Sequence, residues 1–119
     1  LQNEMISPTM QTSEKTQPRQ KTKKPPHFLC VCLNPTIQKT IVFDKIEPGE
    51  VNRSSNWRID AAGKGVIPTR ILTQLGEKAI HLTQLGGPTR AWFLTMCAAD
   101  GISVEWVESG APIRFCTTL

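Results

Sequence analysis

Beyond residue 26, apolar positions recur with two different periods, and each change of period marks a new element. Phe28 to Leu33 is a short unbroken apolar run between Pro26 and Asn34-Pro35, the pattern of a central strand buried on both faces. Thr40 to Phe43 and Val51 to Ile59 predict two further strands, separated by Glu47-Pro48-Gly49-Glu50, whose proline and glycine suit a turn. The second of these is rich in Asn, Arg and Ser and belongs on an exposed sheet or flap. From Val66 to Leu75, the residues Ile67, Ile71, Leu72 and Leu75 fall on one helical stripe, with Pro68 in the tolerant first turn and Gly76 at the end. Ala79 to Leu85 reads as a strand running into Gly86-Gly87-Pro88. Thr89 then caps a helix that extends to about Asp100 and closes at Gly101. With Trp92, Phe93, Leu94, Met96 and Cys97, that helix is apolar nearly all round and is expected to be buried. Val104 to Val107 and Ile113 to Thr118 close the chain as strands.

Strand, flap, helix, strand, helix, strand is an α/β order with a parallel sheet. Leu119 falls inside the last strand, whose edge would be left open, and a complete domain seldom stops there. The expectation is a truncated product or a gene fragment.

Composition separates the first 26 residues from the rest. They are rich in Gln, Thr, Lys and Pro, hold almost no large apolar residues, and carry five basic against two acidic groups. Such a stretch buries too little surface to offset its ordering entropy and predicts a disordered basic leader over 1–26. Residues 27–119 are nearly balanced, with nine basic and eight acidic groups, so the net charge of +4 sits mostly in the leader. No aromatic residues interleave with the leader's charges and no nucleic-acid reading module follows, which argues against a nucleic-acid partner. No run has the length of a membrane span, and the leader lacks the apolar stretch of a signal peptide. The expected compartment is the cytoplasm. Cys30, Cys32, Cys97 and Cys116 lack the spacing of a zinc or redox site and read as small buried hydrophobes of a reducing compartment.

The candidate chemistry lies in Asp60-Ala61-Ala62-Gly63-Lys64-Gly65, a flexible turn fused to a helix start. A helix N-terminus presents unpaired N–H groups and partial positive charge to an anion, and Lys64 adds a point charge. The same glycines also suit a purely steric role at a strand-to-helix turn. The dinucleotide fingerprint fails because its third glycine would fall at Pro68. The phosphate-loop pattern fails because Lys64 is followed by Gly65.

Five segments, taken in order, carry a more specific pattern: Leu33-Asn34-Pro35-Thr36-Ile37, Pro48-Gly49-Glu50-Val51-Asn52-Arg53, Ala62-Gly63-Lys64-Gly65, Leu85-Gly86-Gly87 and Ile113-Arg114. Together they resemble the N-terminal part of the PfkB/ribokinase family of carbohydrate kinases, in the branch of 1-phosphofructokinase and tagatose-6-phosphate kinase. The resemblance implies a ribokinase-like three-layer α/β/α fold with a small β-sheet lid. Residues 27–119 then supply the sugar pocket and lid of a kinase domain that is incomplete at its C-terminus. It also implies transfer of the γ-phosphoryl group of ATP, with Mg²⁺, to a hydroxyl of a phosphorylated sugar. Lid strands of such kinases can pair between subunits, so the resemblance allows a homodimer through them.

Carried over residue by residue, the resemblance places Asn34 in the loop opening the sugar pocket and Gln38 where an aspartate normally binds sugar hydroxyls. Gly63, Lys64 and Gly65 lie against the substrate, Arg114 matches the lid arginine that grips the sugar's phosphate, and Arg53 is a weaker candidate for the same anion. Ile67 stands where an asparagine usually touches the sugar. Read from the residues alone, Arg114 and Arg53 also fit as solvated surface groups, and Asn34 as a turn former. The catalytic aspartate, in a Gly-x-Gly-Asp segment, and the nucleotide pocket are expected beyond Leu119. No residue of this chain is therefore assigned as catalytic.

Overall fold

The computed structural model describes residues 27–119; the expected leader lies outside the described residues. Eight elements follow one another: β1 (His27–Val31), β2 (Thr36–Ile41), β3 (Trp57–Ala62), α1 (Val66–Gln74), β4 (Lys78–Leu85), α2 (Arg90–Ala99), β5 (Ser103–Glu108) and β6 (Arg114–Thr118). They form two three-stranded sheets, a parallel one in the order β1-β4-β5 and a mixed one in the order β3-β2-β6. In the mixed sheet β2 runs antiparallel to β3 and parallel to β6. The chain thus leaves the parallel sheet at Asn34 to build two lid strands, returns through α1, and leaves again after β5 to add the third.

Along β4 the odd residues Ala79, His81, Thr83 and Leu85 are buried and the even ones are not. Two right-handed crossovers taken in the same direction put α1 and α2 on one side of the sheet, which accounts for this alternation. The other side, with Leu29 and Val31 beside Ile80 and Leu82, has no helical cover among the described residues. The expectation that the first strand is central and buried on both faces is therefore corrected. β1 is an edge of the described sheet, and Leu29 is 61% exposed. One helical layer can bury only one face, and the third layer of the expected fold is not among these residues.

The core joins the two sheets. Ile37 and Ala61 from the lid meet Val66 of α1, Phe93 and Cys97 of α2, and Leu85, Ile102 and Ile113. Ile37 and Ala61 are register partners, so one face of the lid is held on α2 while the opposite face stays free.

Other boundaries shift for local reasons. The lid strand expected at Thr40–Phe43 begins at Thr36, and that expected at Val51–Ile59 begins only at Trp57. Asn52 explains the second shift. Its side chain accepts from Glu47 N at 2.9 Å and donates to the Glu47 and Glu50 carbonyls at 2.9 and 3.0 Å, closing a turn in place of a strand. The apolar stripe on α1 does not face the sheet: Ile67, Ile71 and Leu75 are exposed, and Val66 and Thr69 are buried instead. α2 likewise buries only Phe93 and Cys97, leaving Trp92 partly exposed against Phe115. Thr89 occupies the N-cap position of α2 without a side-chain cap bond. Among the cysteines Cys97 is buried as expected, whereas Cys116 is exposed.

Candidate functional site

The site is built where the two sheets part. β4 anchors the end of β1 through side chains: Thr83 Oγ1 donates to the Cys32 carbonyl at 2.6 Å, and Gln84 Nε2 donates to the Leu33 carbonyl at 2.8 Å. These bonds fix the loop that presents Asn34. Gly63 packs onto the same loop, since a Cβ on it would lie 3.5 Å from the Asn34 carbonyl oxygen and from the Pro35 Cα. Lys64 follows, exposed.

Gly65 serves packing. A Cβ at this position would stand 2.6 Å from His81 Nδ1 and 2.7 Å from Cys32 Cβ, and nearer still to His81 Cε1. Helix α1 therefore sits directly on a buried histidine. The His81 ring bonds the Cys30 carbonyl through Nδ1 at 3.0 Å, and burial pushes its pKa below the ordinary value, partly offset by that bond. At least one of the three glycine-turn residues is thus held in place by core contacts.

Gly86 performs a related task for the lid arginine. A Cβ there would meet the Ala111 carbonyl oxygen at 2.6 Å and the Ser109 carbonyl closer still. Only glycine lets the segment 109–113 pass close over the end of β4, and that segment delivers Arg114 to the lid. Arg114 lines a cavity of about 90 Å³ together with Asn34, Pro35, Gln84 and Gly86. Its Nε donates to Thr36 Oγ1 at 2.6 Å, its partner residue in the β2–β6 register, and the bond leaves the Nη1/Nη2 fork unconsumed. Planar forks of this kind bind phosphate oxygens in pairs.

The free face of the lid is polar. Residues directly opposite in a sheet project to the same side, so Thr36, Gln38, Thr40, Arg58, Asp60, Arg114 and Thr118 share it with Ala62 and Cys116, Thr36 and Ala62 being buried at one end. Gln38 lies in a second, wider cavity of about 400 Å³ with Arg58, Asp60, Ile67, Arg70 and Asp100. Gln38 and Ile67, the two departures from the kinase pattern, thus line one cavity. Arg70 closes its wall, donating to the Ala61 carbonyl at 2.9 Å and pairing with Asp100 at 2.7 Å.

The expected site residues are thus partly brought together. Asn34 and Arg114 share one cavity, Gly63 touches the Asn34 loop, and Gln38 lies on the same lid face as Arg114. Lys64 and Gly65 line neither cavity, and Arg53 lines a separate surface cleft with Asp44, Lys45 and Ser54. Asp60, which opens the glycine turn in the sequence, stands beside Gln38 across β2 and β3. The register that sets it beside Gln38 was not readable before β2 and β3 were placed. Among the described residues no group of three or more His, Cys, Asp or Glu side chains is arranged to hold a metal ion.

No protein-family model matches the chain. It is 36% identical over 75 residues to a 1-phosphofructokinase of Xanthomonas campestris, a match covering 63% of this chain and 24% of that protein. It is 37% identical over 60 residues to a tagatose-6-phosphate kinase of Staphylococcus epidermidis, covering 50% of this chain and 19% of that protein. Its fold superposes with a TM-score of 0.70 on phosphofructokinase-2 from Escherichia coli in complex with fructose-6-phosphate, at 21% identity, over 76% of this chain and 30% of that one. The chain resembles the sugar-phosphate kinases of the PfkB/ribokinase kind, and its fold is part of the ribokinase-like α/β fold with its lid. It spans about a quarter or less of the length of these curated relatives.

Proposed function

We propose that this chain forms the sugar-phosphate pocket and lid of an ATP-dependent carbohydrate kinase. The substrate class is a phosphorylated ketohexose such as fructose 1-phosphate, fructose 6-phosphate or tagatose 6-phosphate. The observation that carries the reading is Arg114, set beside Asn34 at a cavity between the 33–35 loop and the 109–113 segment, with a guanidinium fork not consumed by its bond to Thr36. An arginine on a polar sheet face next to a fixed loop suits a phosphate monoester better than a neutral sugar, because charge-assisted pairs are the strong ones. ATP and Mg²⁺ are the proposed co-substrate and metal, supplied by a part of the fold other than residues 27–119. The described residues offer lid and pocket, and phosphoryl transfer needs positioning and charge stabilisation beyond these.

The chain on its own is therefore proposed to be inactive. The lid's outer strands β3 and β6 are the proposed route to a homodimer, and the cytoplasm is the proposed compartment. A second reading, a non-catalytic sugar-phosphate binder, draws on one observation: Gln38 and Ile67 replace the expected aspartate and asparagine within a single cavity. The test for the main reading is steady-state kinetics on the full-length protein that carries this segment. Arg114→Ala is expected to raise KM for the sugar phosphate at least tenfold while leaving KM for ATP within about twofold. Equal effects on both would remove Arg114 from the phosphate site, and no turnover in the unsubstituted protein, with binding intact, would select the second reading.

A further inference from the structure

The wider cavity sets beside Gln38 a second acceptor, Asp60, that has no role so far. Gln38 and Asp60 are direct partners across β2 and β3, so their side chains stand side by side on the free lid face and line the same cavity. Gln38 Nε2 donates to Thr118 Oγ1 at 3.2 Å, which turns the amide so that Oε1 is its remaining polar atom. Arg58 Nε engages Asp60 through Oδ2 at 3.0 Å and leaves Oδ1. Arg70, the other cation of this wall, is committed to Asp100 and to the Ala61 carbonyl. What the cavity offers is therefore a pair of acceptors with an anionic member, bordered by the apolar side chain of Ile67. The two cations of this lining, Arg58 and Arg70, are matched by Asp60 and Asp100, and the free acceptors beside an apolar side chain suit the hydroxyls and C–H face of a sugar.

Arg114 stands on the same face two strands away, in register with Thr36. Adjacent strands lie about 4.8 Å apart and two residues along a strand advance about 6.8 Å. The backbone positions of Arg114 and Asp60 are thus separated by roughly 12 Å, a span that side chains and one sugar phosphate can bridge.

We infer that Asp60, assisted by Gln38, is the specificity-determining acceptor for the sugar hydroxyls, with the phosphate held at the opposite end of the lid by Arg114. The inference rests on the sugar-phosphate reading and adds Asp60 to it as an acceptor of the sugar hydroxyls.

Calorimetric titration of the 119-residue chain with fructose 6-phosphate and, separately, with inorganic phosphate tests it. Asp60→Asn is expected to weaken fructose 6-phosphate binding about tenfold while leaving inorganic phosphate within about twofold. Asp60→Glu should recover part of the loss, and Arg114→Gln should weaken both ligands. Unchanged fructose 6-phosphate affinity in Asp60→Asn, beside a loss in Arg114→Gln, would overturn the role of Asp60 and leave the sugar-phosphate reading standing. If the unsubstituted chain binds fructose 6-phosphate no better than inorganic phosphate, the inference and the reading both fail.

Discussion

Replacing Gly65 with alanine tests the most constrained contact in the chain. The added Cβ would lie 2.6 Å from His81 Nδ1 and 2.7 Å from Cys32 Cβ, about 1 Å inside ordinary contact distance. Neither neighbour can yield cheaply. His81 is fully buried and bonded to the Cys30 carbonyl, and a Cβ moves only with its backbone. Relief requires α1 to lift from β4, which loosens the buried Val66 and Thr69 and strains the Thr69 Oγ1 bond to the Gly65 carbonyl at 2.7 Å. Overpacking costs about 1–3 kcal/mol and a disturbed hydrogen bond about 1 kcal/mol, so the substitution should destabilise the chain by about 2–4 kcal/mol. For a domain of this size that corresponds to roughly 10–30 °C in Tm. Urea denaturation followed by the fluorescence of Trp57, Trp92 and Trp106 measures it, and a loss below about 0.5 kcal/mol would refute the packing argument. A double-mutant cycle sharpens the test. In a His81→Ala background, which removes the ring, the cost of Gly65→Ala should fall by at least about 1 kcal/mol.

Other expectations follow from the same contacts. Burial lowers the pKa of His81, so below its unfolded value of 6.5 the unfolded chain binds the proton more readily than the folded one. Stability is then complete above that pH and declines as pH falls toward the lowered folded value. Urea midpoints at pH 7.5 and 5.5 should show the decline, and His81→Gln should flatten it; an equal slope in that variant would discard His81 as the cause. Burial raises the Cys97 thiol to about 11, while Cys116 is exposed. Iodoacetamide under native conditions, read by mass spectrometry, should therefore label Cys116 well before Cys97. Early labelling of Cys97 would contradict its place in the core.

The order of elements, the parallel α/β class, the 47–50 turn and the Gly76 and Gly101 helix ends were legible in the sequence, because period and turn chemistry are local properties. So was the resemblance that singled out Asn34 and Arg114, since an ordered set of motifs survives without coordinates. The structure alone decided which faces are covered. Ile67, Ile71 and Leu75 form a proper helical stripe, yet α1 sits on His81 at Gly65 and buries Val66 and Thr69 instead. Likewise the apolar β1 reads as central but lies at an edge, because burial belongs to the partner layer as much as to the strand. The pairing of Gln38 with Asp60 depends on the β2–β3 register, and the Asn52 side-chain bonds that close a turn in place of the expected strand are recorded by no periodicity.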